Sequence, residues 1–159
     1  VGLYFYADDY IKFISNLRYY VSLPIEMIST SESKYAEALS KKGQQDIPVG
    51  RLGDVEIIFL HYKDVAVAKD KWTRRVGRIN WDNLIIKFSY MNNATDEHIR
   101  QFEKVKCAKK FAFVTKTFPY KDTIVIPGDE DGQISNDTAD FNKYIDIYSL
   151  INETQLKRK

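Results

Sequence analysis

The chain is poor in the residues that announce several common chemistries. Its single cysteine, Cys107, cannot close an internal disulfide; this fits a reducing compartment and sets the expectation of a cytoplasmic location. One cysteine and two distant histidines, His61 and His98, cannot assemble a closed zinc site of familiar spacing, so no metal is expected. The seven glycines form no dinucleotide fingerprint after the first apolar segment, where "ADDY" stands, and no phosphate-cradling loop ending in Gly-Lys-Ser/Thr. A hydrolase built on a Gly-x-Ser-x-Gly elbow is excluded in the same way. The longest apolar runs, such as "VEIIFL" and "NLII", are strand-length, far below the roughly eighteen residues of a membrane span. No signal peptide is visible, and the chain opens with Val1-Gly2 inside a strand-like segment without Met, so the natural start is expected upstream.

What is present has globular proportions. With 159 residues, 44% hydrophobic and 29% charged, the expectation is a single domain over residues 1–152 followed by a basic C-terminal tail, 153–159. Eleven Tyr and nine Phe serve a core first, although such rings also make carbohydrate or base platforms. Net charge is only +2, which gives no global nucleic-acid signal, but it is unevenly spread. Residues 63–81 hold six cations against Asp64 and Asp70, whereas residues 121–140 hold Lys121 against six carboxylates.

Periodicity outlines the elements. "VGLYFY" has strand composition, and "DDYIKFISNLRYYVS" repeats apolar residues at three and four until Pro24 ends the helix. "SESKYAEALSKKG" reads as a short polar helix stopped by Gly43, "PVGRLGD" as a turn, and "VEIIFLH" as a buried strand. Residues 64–79 form a helical pattern, followed by the strand "NLIIKFS" and a helix "TDEHIRQFEKV" capped by Thr95. "KFAFVT", "TIVIP", the acidic loop "GDEDGQISND" and the helix "DFNKYIDIYSLIN" complete the order. This alternation predicts an α/β three-layer sandwich with a largely parallel sheet of about five strands. "KFAFVT" and "TIVIP" lack an intervening helix, which leaves room for one to run antiparallel and the sheet to be mixed. In open sheets ligands gather beyond the carboxyl ends of strands, a rule that nominates Asp8, Asp9, His61, Ser89, Lys116 and the Asp129 loop.

The helix over 64–79 carries the densest signal. Lys71, Arg74, Arg75 and Arg78 fall at i, i+3, i+4 and i+7 on one face, with Trp72, Val76 and Ile79 turned away. Two readings of that face stand: a site for phosphate or carboxylate groups, and a solvated stripe favoured by the helix dipole. Beyond it, Asn80, Asp82 and Asn83 have the chemistry of turns and caps, and Trp81 that of a packing or stacking ring. His61 is the one candidate general base, weighed against a strand-end histidine that bonds a loop. Asp129-Glu130-Asp131 resembles the Asp-x-Asp signature of glycosyltransferases and equally a solvated Asp/Gly turn. Cys107 sits among lysines, as an activated thiol or a structural one.

Several segments together resemble a bacterial family known as domain of unknown function 1919. They are "VGLYFYADDYIKFISNLRYYV", "PVGRLGDVEIIFLHY", "KWTRRVGRINWDNLIIKFS" and "TDEHIRQFEKV…KKFAFVTK…FPY", covering roughly residues 1–126. The run Trp-x-Arg-Arg-x-x-Arg-Ile-Asn-x-Asp-Asn is the specific one. That resemblance implies a place in bacterial exopolysaccharide biosynthesis and, for an enzyme, an acyl- or glycosyltransferase. Family members continue upstream with a cysteine-bearing segment, and they carry an acidic residue and a cysteine where this chain has Tyr90 and Ala94. The combined expectation is a transferase acting on a nucleotide-sugar, phosphosugar or acyl donor. Arg74, Arg75, Arg78 and Lys116 would hold its anionic group, Asp82 and Asn83 would orient the loop, and His61 would act as base. The alternative is a non-catalytic glycan- or protein-binding partner in the same pathway. No cofactor and no oligomeric state is specified by the sequence.

Overall fold

The computed structural model describes residues 2–138 and 141–152; the basic tail 153–159 and Asp140 of the acidic segment lie outside the described residues. The chain divides into two compact units, residues 1–79 and 80–159.

In the first unit the expected N-terminal strand reduces to one antiparallel bridge between Tyr4 and Ile58. The helical period that follows is realised as α1 (Ala7–Ser15) and α2 (Leu17–Ser22), interrupted where Asn16 leaves helical geometry at φ −140°. Ala7, Ile11, Phe13 and Ile14 form the buried side of α1. Three strands make an antiparallel sheet in the order β1 (Glu26–Ile28), β2 (Val49–Leu52), β3 (Val55–Ile58). Between β1 and β2 lies α3 (Ala36–Lys41). Gly43 at φ +67° ends it, with Gly43 N–H donating to Ser40 O and Gln44 N–H to Leu39 O, a left-handed stop that a side chain would strain.

"PVGRLGD" is therefore not a turn alone. Val49–Leu52 is a strand, and only Gly53-Asp54 turns, with Gly53 at φ +60° opening a two-residue hairpin onto β3. Gly50 is inside the strand because a Cβ there would sit 2.5 Å from Ile25 Cδ1. Helix α4 (Val65–Val76) starts where the Asp64 carboxylate accepts from Ala66 N and Val67 N.

In the second unit β4 (Ile85–Ser89), β5 (Lys109–Val114) and β6 (Thr123–Val125) form a parallel sheet in that order. Helix α5 (Asp96–Lys104) makes the crossover from β4 to β5, and Thr95 caps it reciprocally with His98. Two short helices, α6 (Phe141–Tyr144) and α7 (Ile147–Asn152), follow. Every residue of β5 is buried, as expected of a parallel strand covered on both faces. Phe111 and Phe113 point to one face, into a core with Ile126, Ile134, Ile145 and Leu150. On the other face Phe88 packs against Phe102 of α5, ring centroids 5.6 Å apart.

One expectation is corrected: one largely parallel sheet of about five strands is replaced by two three-stranded sheets, one antiparallel and one parallel. β5 and β6, joined without a helix by residues 115–122, run parallel, so the antiparallel option left open for them is not taken.

Candidate functional site

The expected cationic face forms only in part: Lys71, Arg74 and Arg75 lie in α4, and Arg78 lies beyond its end. Trp72 is buried and packs against Phe13 at 6.0 Å, while Arg74, Arg75 and Arg78 are exposed. Helix α4 stops at Val76 rather than 79, because Arg78 and Ile79 turn to three-residue bonds onto Arg75 O and Val76 O. Arg74 is neutralised within the helix by Asp70 at 2.6 Å. Among the described residues, no ion pair engages Arg75 or Arg78. His61 is exposed in the turn after β3 with no carboxylate set to orient it among the described residues.

The other expected site residues belong to the second unit and are bound into structure. Asn80 caps the 3₁₀ turn Trp81–Asn83 by accepting from Asp82 N and Asn83 N. Asn83 donates to Ile151 O at 2.9 Å and accepts from Lys109 Nζ, which also reaches Ile151 O. Asn83 thus fastens the end of α7, and Asp82 is left exposed in the turn. Lys116 pairs with Asp96 at 2.7 Å, and the Tyr90 hydroxyl donates to the same carboxylate. Those two contacts, Lys116 first, hold the Asp96 carboxyl below its usual range. Burial and then Asp96 push the Tyr90 phenol up to about 12.

A group that periodicity missed lies in the first unit. Asp9, nominated from the sequence as a residue just beyond the first apolar segment, is 0% exposed; it accepts from Glu56 N at 2.8 Å and from Lys34 Nζ at 2.6 Å. Burial, then Asp9, raises the Tyr35 phenol well above its ordinary value. Glu56, 2% exposed, accepts from Ser33 Oγ and from Arg51. One signal pointed there: Glu56 is the single charge inside the apolar run "VEIIFL". Each carboxylate has donors enough to satisfy it, the condition for burying a charge without large cost.

The carboxyl edge of the parallel strands collects a second group. Strand alternation puts Lys87 and Ser89 on the face of Phe111 and Phe113, since Lys87 pairs with Phe111 and Ser89 with Phe113. Loop residues after β6 return over that edge: Ile134 N–H donates to Tyr90 O, and Asp137 Oδ2 accepts from Lys87 Nζ and from Ser89 Oγ, each at 2.5 Å. Burial drives the Asp137 carboxyl upward, yet the Lys87 and Ser89 bonds outweigh it and hold the group below its usual value. A cavity of about 80 Å³ lies beside this latch. The rings of Phe113, Phe141 and Tyr144 and the aliphatic surface of Ile126 and Pro127 line it, with Asn136 and Asp137 as polar members.

Asp129-Glu130-Asp131 is a solvated turn, closed by Gly132 at φ +75°, by Asp129 N–H donating to Gln133 O and by Gln133 N–H donating to Asp131. No group of three or more metal-ligating side chains occurs among the described residues. Cys107 points its thiol at the Leu84 and Lys109 carbonyls, a structural setting. No helix among the described residues is long and apolar enough to cross a membrane.

Comparison with known proteins gives a family and a relative. The family model described as "Domain of unknown function (DUF1919)" matches residues 1–156. An uncharacterized protein of Haemophilus influenzae (strain ATCC 51907 / DSM 11121 / KW20 / Rd) is 28% identical over 157 residues, which is 95% of this chain and 70% of that protein.

Proposed function

The chain belongs to the family described as Domain of unknown function (DUF1919), and from that premise we propose that it acts in bacterial surface-polysaccharide biosynthesis. The proposed activity is that of a transferase, acyl- or glycosyl-, whose donor or acceptor is an anionic sugar derivative. The observation that supports this reading is the state of two arginines. Arg75, in the last turn of α4, and Arg78, just beyond the end of that helix, stand exposed without a carboxylate partner among the described residues, while neighbouring Arg74 is already paired with Asp70. The planar fork of a guanidinium matches the paired oxygens of a phosphate or carboxylate, and a charge-assisted bond of that kind contributes about 1.5–3 kcal/mol.

Calorimetric titration with nucleotide sugars, phosphosugars and acyl-CoA tests the proposal. Binding of one class, weakened about tenfold or more in Arg75→Ala/Arg78→Ala and less in Arg74→Ala, is the expected result. Absence of binding by all three classes, or binding indifferent to the double substitution, overturns it.

A second reading, a non-catalytic glycan- or protein-binding partner in the same pathway, is favoured by one observation: His61, the expected base, is exposed and has no carboxylate paired with it among the described residues. The two readings separate on turnover, because the binding partner retains ligand without converting it.

A further inference from the structure

The cavity beside Asp137 has a lining that selects among ligand classes. Three rings surround it: Phe113 meets Phe141 edge-on at 5.9 Å and Tyr144 at 6.2 Å, which fixes their faces at steep angles to each other. An arrangement of this kind, with a carboxylate beside it, suits either a small cation or the apolar face of a sugar ring. Charge decides between them. The Asp137 carboxylate is already neutralised by Lys87, whose ammonium also lies 6.0 Å from the Phe141 ring centre, so an incoming cation meets a like charge and gains no net attraction. An anion fares no better, since Asp137 offers it only acceptor oxygens.

A neutral ligand bearing hydroxyl groups meets neither objection. Among the described residues, both side-chain donors to Asp137 converge on Oδ2, so Oδ1 keeps acceptor capacity for hydroxyl donors. Tyr144 brings a phenol to the same cavity. The size is restrictive: about 80 Å³ is roughly three water volumes, so one edge of a single ring enters and the rest of it stays at the open mouth. Placement agrees with the general rule for parallel sheets, because Phe113 and Ile126 stand at the carboxyl ends of β5 and β6.

We propose that this cavity binds a single neutral sugar residue, with an aromatic wall against the ring's apolar face and Asp137 accepting from its hydroxyls. The Asp137 bonds to Lys87 and Ser89 fix the acceptor before the ligand arrives, so little ordering of the carboxylate opposes binding. The site lies wholly within residues 80–152 and draws nothing from Arg75 or Arg78, so the two readings fail separately.

The test is a ¹H–¹⁵N NMR titration of the whole chain with glucose, galactose, mannose and myo-inositol, against choline chloride and sodium phosphate as charged controls. Expected are shifts confined to residues around Phe113, Asn136, Asp137 and Tyr144 for at least one neutral sugar. That affinity should fall about tenfold in Asp137→Asn and in Tyr144→Ala, and stay unchanged in Arg75→Ala/Arg78→Ala. Tyr144, only partly buried at the end of a short helix, serves where Asp137→Asn perturbs the latch, and a retained amide spectrum certifies either variant. Shifts produced only by choline or only by phosphate, sugar shifts mapping elsewhere, or no response up to the solubility of the sugars each overturn the proposal.

Discussion

Asp137 and Ser89, forty-eight residues apart, share a hydrogen bond that ties the acidic loop to the carboxyl end of β4. Lys87 reaches the same oxygen, so one carboxylate closes the edge of the sheet. Replacing Asp137 by Ala removes one charged acceptor from the half-buried Lys87 ammonium and from the Ser89 hydroxyl, and the expected loss is about 1.5–3 kcal/mol in urea unfolding. Faster amide exchange at Ile134 should accompany it; an unchanged midpoint and unchanged exchange would show that the loop is held by other contacts.

Lys110 is buried in β5 and donates to the carbonyls of Phe102, Glu103 and Val105 at the end of α5, of which Phe102 O also accepts from Val105 N–H. Lys110→Met keeps the stem and removes the donors. A stability loss of roughly 1.5–3 kcal/mol is expected, with exchange quickening in the last turn of α5.

Gly50 has no room for a methyl group, because its Cβ would meet Ile25 Cδ1 at 2.5 Å and Phe59 Cε2 at 2.9 Å. Gly50→Ala should cost about 1–3 kcal/mol by overpacking. Ile25→Val removes the offending methyl, so the double variant should lose less than the two single losses added together, a coupling readable in a thermal or urea double-mutant cycle.

Asp9 and Lys34 form an unequal pair, with side-chain exposures of 1% and 40%. Removing the buried partner strands the Glu56 N–H and takes the acceptor from the Tyr35 hydroxyl, while Lys34 keeps Asp54 O and solvent, so Asp9→Ala should cost about 1–3 kcal/mol. Lys34→Ala leaves a site that water can reach and should cost clearly less. Equal losses would contradict the asymmetry.

Burial, followed by bonds to Asp54 and Asp96, pushes the Tyr20 and Tyr90 phenols up to about 12. An ordinary tyrosine titrates near pH ~10, so between these values the folded chain binds more protons than the unfolded one. Their stabilisation is therefore complete below about pH 10 and is lost as pH rises through about 12. Spectrophotometric titration should show late phenolates that vanish stepwise in Tyr20→Phe and Tyr90→Phe, whose stability should decline less over that window.

Much of this fold was legible because its signals are local. Helical spacing in 64–79 separated buried Trp72 from the arginines, Gly43 marked a left-handed stop, and Thr95 a cap. The sheet was not legible. Whether Val49–Leu52 pairs with β1 and β3 depends on partners more than twenty positions away on one side, and strand composition is silent about direction. The site residues divide in the same manner. Asn80 reads as a cap from its chemistry alone, but Asn83 acquires its role from Ile151, sixty-eight residues later.

By itself the sequence determined most of the helices, the strands β3, β4 and β5, the run of arginines at and beyond the end of α4, and the motifs that carry the family resemblance, because each depends on residues close together in the chain. Only the tertiary structure decided that the strands form two sheets, that Asp9 and Glu56 are buried and satisfied, and that Asp137 closes a cavity at the carboxyl edge. The physical reason is that burying a charge or filling a cavity depends on partners brought together from distant positions, and no local period encodes which distant donor will meet which acceptor.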